Sequence, residues 1–543
     1  MKNNILSGLT VGIIALPLSM ALSIAIGIPP QNGLYTAIIA GIVASIFGSS
    51  KINISGPTAA FVVILIPIVH EFGLKGLLLC GFMSGILLLI MGIFKLGNLI
   101  ELIPYPVTVG FTSGIAVVIA TFQIKDFFGL EIDDFQGHFH EKVYTLITSM
   151  PTFHLSELLV GVSTLLILIF WPKTKSKIPA PLIALSVVTV LVYYFNTTYN
   201  TNISTIYSSF QYSIGNLSGN GIPPVPLQFT LPWAGYSSED FTLDMFYKLI
   251  PHSVAIAILG ALESLLCAVI SDGMTGHRTN PNKELIGQGL ANLAVPFFGG
   301  IPATAAIARS VVNIKAGGTS ILSSIVHSIF ILLSIIFLAP YLSHLPMASL
   351  SALLLLVAWN MSEIKHFINI IKVAPKYDIY ILLVCFILTV LLDMQIAVGV
   401  GMALASILFI KRTIDLYSID LINNNTSNTY EDVAEDVAIY NINGPMFFGA
   451  AQYALRTLLN TEEEIKVVIL NMENVNIIDM TALVAVKSII DNFESNDKTL
   501  IITGINNRIK NKFQKFGIEF RDDGLILEHN IKSALQNLDE RKE

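Results

Sequence analysis

Apolar residues come in long runs along this chain, most of them near the 20 residues a helix needs to cross a hydrocarbon core. Short stretches holding Pro, Gly, Asn and charge separate them. The runs fall near 5–26, 33–48, 58–70, 74–94, 106–123, 154–171, 181–195, 248–270, 285–298, 303–314, 319–339, 346–361, 377–393 and 395–411. That makes about fourteen segments, seven on either side of the polar stretch 196–247, as in a membrane domain built from two inverted repeats. Residues 364–376 alternate apolar and basic character, as an amphipathic helix on a membrane surface does. Past Arg412 the pattern changes. Asn423 to Thr429 is a polar linker, and strand-like runs at Val437–Asn443, Lys466–Met472 and Thr499–Thr503 follow. They alternate with helical runs at Ala450–Asn460, Thr481–Glu494 and Asn507–Phe516, with a last helix near Asn530–Leu538, which predicts a sheet covered by helices. The reading is an all-α polytopic membrane domain over 1–412, a linker over 413–430 and an α/β domain over 431–543.

Two interruptions of the apolar pattern stand out. One is Gly299-Gly300-Ile301-Pro302-Ala303-Thr304-Ala305-Ala306-Ile307-Ala308-Arg309-Ser310; the other is Ser55-Gly56-Pro57-Thr58-Ala59-Ala60. Each reads as a helix that starts part-way across the membrane after Gly and Pro. The unpaired N–H groups of such a start favour an anion. On this reading the donors are the backbone N–H groups of Thr58, Ala59 and Ala60 and of Thr304, Ala305 and Ala306, with the two Thr hydroxyls beside them. Arg309, three and four residues beyond Ala306 and Ala305, shares their helix face and supplies the fixed positive charge. Paired broken starts in corresponding halves are the sequence mark of a transporter site.

Composition agrees: 53% of the residues are hydrophobic and 13% charged, against about a quarter charged in soluble domains. No basic arm points to nucleic acid. Cys80, Cys267 and Cys385 lie inside apolar runs without metal-ligand spacing and read as small hydrophobes. The first run continues to about Ile26 without a clean cleavage motif and reads as a retained span. The stretch 196–247 has no Lys or Arg, whereas Lys173, Lys175, Lys177, Arg278, Lys283, Lys315, Lys411 and Arg412 fall on one side. That asymmetry places both termini in the cytoplasm of a multi-pass protein of the cell's inner membrane. Asn196, Asn202 and Asn216 begin glycosylation-like triplets in an Asn-rich stretch where chance matches are common.

Several motifs in order resemble the sulfate permease (SulP) anion transporters. They are Leu16-Pro17-Leu18-Ser19-Met20-Ala21, Gly27-Ile28-Pro29-Pro30-Gln31-Asn32-Gly33-Leu34-Tyr35, Gly110-Phe111-Thr112-Ser113-Gly114, Leu262-Glu263-Ser264 through Asp272-Gly273-Met274-Thr275-Gly276, and Asn280 through Gly289. The C-terminal region is similar to the cytoplasmic STAS domain that ends most of these transporters. The resemblance implies a uracil-permease-like fold, a gate and a core domain in elevator-like alternating access, an anionic substrate with a coupling proton or sodium, and a homodimer. Within the family, Pro17 through Leu22, Gly56 through Leu65 and Gln123 through Leu130 look like the bacterial C4-dicarboxylate branch, which implies proton-coupled uptake of succinate, fumarate or aspartate. Sulfate or bicarbonate carriage, or an anion channel on the same fold, is the alternative.

Leu18 and Leu22 then line the substrate from the first segment. Glu263, the second ionisable residue of an apolar run, takes up and releases the coupling proton; a permanent pair with Arg309 is the competing role. Some sodium-driven relatives use the matching acid for sodium. Asp272 and Asp393 lie near span ends, where solvated carboxylates are common. In Ile478-Asp479-Met480-Thr481-Ala482, Thr481 matches the hydroxyl phosphorylated in anti-sigma-factor antagonists, while Met480 and Ala482 depart from that pattern. Asp479 or Thr481 serves as a helix cap, and the STAS domain offers a contact for a cytoplasmic partner. No cofactor or metal is implied. The His residues lack HExxH-like spacing, which argues against an enzyme.

Overall fold

The computed structural model describes the chain except residues 99–102, 133, 134, 136, 175, 177, 215–216, 235–242, 393, 416, 423–432, 460–463, 522–523 and 543. Lys175, Lys177, Asn216, Asp393 and the polar run Asn423 to Thr429 therefore lie outside the described residues. The chain divides into two units, Met1–Ala403 and Leu404–Glu543.

The first unit is helical, because backbone groups in hydrocarbon must bond within their own segment. Its elements are α1 (Lys2–Ala25), α2 (Pro30–Phe47), β1 (Ser55–Gly56), α3 (Ala59–Ile93), α4 (Tyr105–Phe128), α5 (Phe139–Thr148), α6 (Leu155–Phe170), α7 (Ala180–Tyr199), α8 (Ile206–Ser209), β2 (Gln211–Ile214) and β3 (Leu217–Asn220). Then come α9 (Leu243–Thr275), α10 (Pro281–Ala294), β4 (Thr304–Ala305), α11 (Ile307–Lys315), α12 (Leu322–Leu342), α13 (Met347–Met361), α14 (Ile364–Val373), α15 (Lys376–Leu391) and α16 (Met394–Asp415), which runs on into the second unit. Among the described residues ten helical stretches are long and apolar enough to cross a membrane. The shorter helices α10, α11 and α15 complete the pattern of runs, and α3 breaks at Gly73 (φ 64°), where the sequence divides 58–70 from 74–94. The stretch read as amphipathic forms α14, capped off before Pro375.

Starts follow local chemistry. Pro30 and Pro281 occupy first-turn positions where no N–H is needed, and the Asn280 side chain accepts from the N–H groups of Asn282 and Lys283. Small residues bring α3 and α10 into backbone contact. A Cβ on Gly85 would lie 2.7 Å from the Leu293 nitrogen, and one on Gly289 would lie 2.8 Å from the Leu89 nitrogen.

The second unit holds β5 (Ser418–Ile422), β6 (Val437–Asn443), α17 (Phe448–Leu459), β7 (Val467–Asn474), α18 (Met480–Ser495), β8 (Thr499–Thr503), α19 (Asn507–Lys515), β9 (Leu525–Glu528) and α20 (Ile531–Lys542). The strands lie in the order β5-β6-β7-β8-β9, with β5 antiparallel to β6 and the others parallel. Side chains alternate between faces. Ile439, Ile469, Ile501 and Ile526 pack with α20, while Tyr440, Leu470 and Ile502 join the core under α17, α18 and α19. The segment read as a linker, 413–430, contains β5, which pairs residue for residue from Ser418↔Asn443 to Ile422↔Ile439. A strand at the sheet's edge needs only one partner, so its short Ser-Ile-Asp-Leu-Ile pattern is weak in sequence.

Candidate functional site

The two interruptions meet. β1 and β4 pair antiparallel, Ser55 opposite Ala305 and Gly56 opposite Thr304, and the Ala306 N–H donates to the Ile54 carbonyl (2.9 Å). Thr58 caps α3 and Ala306 caps α11, so one short ladder carries two helix N-termini at its ends. Each end presents first-turn N–H groups that no helical carbonyl can accept.

Ala59 and Ala60 open α3 as the sequence predicts. The second start differs. Thr304 and Ala305 are strand, Ala306 is a cap, and α11 begins at Ile307. The Ala305 N–H donates to the Ser264 hydroxyl (3.2 Å) and the Ala306 N–H to Ile54, so neither serves as a helix-tip donor. Strand pairing has moved the tip to Ile307, Ala308 and Arg309, and Arg309 sits in the first turn of α11 rather than two turns in. Because Ala305 and Ala306 are not helical, Arg309 does not share a helix face with them.

Arg309 is 2% exposed. One guanidinium nitrogen donates to the Pro57 carbonyl, just before the cap of α3. The other, Nη1, has no hydrogen-bond partner and lies against Gly56, where a Cβ would approach it to 2.7 Å. A guanidinium normally uses its whole fork when buried. Among the described residues no ion pair joins Arg309 to Glu263. The Glu–Arg pair that stood as the competing role for Glu263 is therefore not formed in this conformation.

Neighbouring residues of α9 reach both starts. Glu263 is buried and faces the Thr58 hydroxyl. Ser264 shares a 2.6 Å hydrogen bond with Thr304, whose hydroxyl also donates to the Gly260 carbonyl (3.1 Å). The Thr304 hydroxyl is thus engaged in structure, whereas Thr58 Oγ1 is buried and faces Glu263 without a well-formed hydrogen bond. Cys267, one turn further along α9, donates to the Ser310 hydroxyl of α11 (3.3 Å), which accepts the Ile54 N–H (2.9 Å).

Sequence reasoning missed the α10 stripe. Glu284 accepts the N–H groups of Ser49 and Ser50, both at 2.9 Å. Gln288 donates to Ser55 Oγ (2.8 Å). The Asn292 amide pairs with both backbone groups of Ala303, its Nδ2 donating to the carbonyl and its Oδ1 accepting the N–H, each at 2.8 Å. The three recur every four residues on one face, and each pins a segment leading into the ladder. The signal was legible: polar residues at constant helical spacing inside an apolar helix are rarely idle.

Leu22 is buried and Leu18 half-buried on α1, which packs along α2, α11 and α12. Asp272 accepts the N–H and hydroxyl of Thr279 (2.6 and 2.8 Å), closing the turn between α9 and α10. In the sheet domain Asp479 caps α18 by accepting the Ala482 N–H (2.8 Å), and Thr481, half-buried, is the helix's second residue.

Comparison with known proteins gives consistent matches. The model described as the sulfate permease family matches residues 1–385, and the STAS domain model matches 428–534. The chain is 39% identical over 520 residues to the YvdB protein of Bacillus subtilis, which bears a sulfate-transporter name, covering 95% of this chain and 94% of that one. It is 28% identical over 535 residues to the bicarbonate transporter BicA of Picosynechococcus, covering 95% and 90%. The structure of the murine Solute Carrier 26 family member A9 anion transporter in the inward-facing state superposes with a TM-score of 0.84, covering 99% of this chain and 92% of that one; at 17% identity this is a likeness of fold. The transmembrane domain of a cyanobacterium bicarbonate transporter BicA superposes with a TM-score of 0.62 at 26% identity, covering 73% and 97%. The relatives bear sulfate and bicarbonate names, which corrects the placement in a C4-dicarboxylate branch.

Proposed function

We propose that the chain, which belongs to the sulfate permease family, is a secondary active carrier of a small oxyanion, sulfate or bicarbonate, coupled to protons or sodium. The observation that carries the reading is the β1–β4 ladder. It sets two helix N-termini beside one buried guanidinium with an unpartnered nitrogen. An anion in hydrocarbon costs several kcal/mol without donors. First-turn N–H groups, Arg309 Nη1 and the Thr58 hydroxyl supply donors aimed at one place. A small oxyanion presents acceptors in every direction and suits such a set better than an extended dicarboxylate does.

In this reading Ala59, Ala60 and the first turn of α11 bind the anion, Arg309 balances its charge, and Leu18 and Leu22 close the pocket from α1. Glu263 faces the α3 cap from α9 and is the group placed to carry the coupling ion. Since α9 touches both starts, movement of that helix with the ladder would carry the site as one body in an elevator-like cycle. The protein lies in the cell's inner membrane with both termini cytoplasmic. The STAS domain provides contacts for a second copy or a cytoplasmic partner, with Thr481 as the regulatory hydroxyl.

The test is uptake of labelled sulfate and of labelled bicarbonate by purified protein in liposomes, under an imposed proton or sodium gradient. Saturable accumulation against the anion's own gradient supports a carrier. Flux that only dissipates the gradient rejects it in favour of a channel. Succinate in the same assay tests the dicarboxylate alternative.

A further inference from the structure

A cavity of about 780 Å³ lies between the first half of α3, α4, α5 with Phe135, Gly137 and His138 before it, and the end of α15. Its α3 wall includes Val63, four residues beyond Ala59 and so one turn from that helix's N-terminus. Its titratable members are His70, Glu71, His138 and Lys142.

Lys142 is the unexplained one. It is 7% exposed, yet among the described residues it has neither a carboxylate within ion-pair distance nor a hydrogen bond. Lysines are almost never this buried unless paired. Its ammonium sits 4.7 Å from the Phe122 ring centroid and 5.6 Å from that of Phe135. Aromatic faces hold a cation in place, but they leave its N–H donors to bond elsewhere. Among the described residues, the acids of the α3 wall and of α5 form no ion pair with Lys142. Glu71 is exposed and within electrostatic reach of Lys248. Glu141 accepts the His138 N–H at the start of α5 (2.7 Å). Lys125 adds a second positive charge 6.0 Å from Phe135, donating to the Ile132 carbonyl. Burial lowers the proton affinity of Lys142.

We propose that this cavity, one wall of which begins a helical turn from the α3 tip, is a second anion site in which Lys142 holds a small inorganic oxyanion. The choice of oxyanion rests on the carrier reading; the need for a negative partner rests on Lys142 itself. The site gathers the anion beside the helix that binds it, and it discriminates by charge.

The test uses the full chain in nanodiscs with His138→Cys. Cys80, Cys267 and Cys385 are all buried, so the new thiol, at an exposed position, is the one that impermeant reagents reach. Reaction rates of a negatively and a positively charged thiosulfonate are compared, with and without sulfate or bicarbonate. The expected result is a several-fold preference for the negative reagent, slowed labelling with either anion, and loss of both effects when Lys142→Gln is added but not with Lys142→Arg. Raising the ionic strength should shrink the preference. Labelling that ignores both anions, or that they slow equally after Lys142→Gln, overturns the proposal. Because the readout is occupancy near residue 138 and not transport, the two readings fail separately. Normal labelling without uptake sinks the carrier, and uptake without protection sinks the second site.

Discussion

The Arg309 guanidinium donates to the Pro57 carbonyl, tying the first turn of α11 to the residue before the cap of α3. A charged side chain thus bridges two helix tips that lie about 250 residues apart in sequence. It does so with one nitrogen and keeps Nη1 directed at Gly56.

Removing that charge should weaken anion binding. Hydrogen bonds to charged groups contribute about 1.5–3 kcal/mol, so Arg309→Gln should raise the KM for sulfate or bicarbonate by roughly one to two orders of magnitude. Arg309→Lys should recover only part of the loss, because an ammonium has no planar fork with which to reach Pro57 and the anion together. Liposome uptake measures both, with gel filtration to check folding. An unchanged KM in the Gln variant would remove the anion from the tips.

Glu263→Gln separates coupling from binding. If Glu263 carries the coupling proton, the variant should exchange anion across the membrane yet lose acceleration by an imposed proton gradient. Uptake measured against external pH reads this directly, and uptake that remains fully proton-dependent rejects the role.

Asn292 holds Ala303 by two hydrogen bonds in the approach to β4. Asn292→Leu leaves both backbone groups of Ala303 without those partners in a buried setting, at a cost of about 2–4 kcal/mol. Thermal unfolding in detergent should show a clear fall in midpoint, and anion affinity should fall with it because the tip loses its support. A stable variant with altered KM would mean that Asn292 acts at the site rather than through the ladder.

At Gly33 a Cβ would come within 2.0 Å of the Ser19 carbonyl and 2.4 Å of the Ser23 hydroxyl. Gly33→Ala should force α1 and α2 apart and destabilise by about 1–3 kcal/mol. Gly273→Ala is the matched control, since nothing lies within 4 Å of the added carbon, and helix propensity favours the alanine. Equal unfolding midpoints for the two would contradict the close α1–α2 approach.

In the sheet domain, Asp479→Ala removes the cap of α18 and should cost about 1 kcal/mol. Thr481→Glu places negative charge in the first turn, where the helix dipole favours it, and should leave the domain intact. Hydrogen exchange along α18 in the full chain distinguishes them: faster exchange of the first turn in the alanine variant, none in the glutamate one.

By itself the sequence determined what is local. Apolar run length marks membrane helices because the bilayer imposes one thickness on every span. Pro57 and Pro302, each close to glycine, mark interruptions because together these residues disfavour helix. The strands β6, β7 and β8 could be read from their own apolar runs. What required tertiary structure was partnership. Whether the Ala305 and Ala306 amides are free or paired depends on Ser264 and Ile54, and nothing near residue 304 encodes those partners. The same holds for Arg309, for which a pair with Glu263 was one of two competing readings. Instead a carbonyl of the other half-site lies in reach, while Glu263 turns to Thr58. β5 was missed because an edge strand draws its stability from β6, not from its own five residues. Buried polar groups take whichever partner the packing delivers, and packing joins residues that the chain keeps hundreds of positions apart.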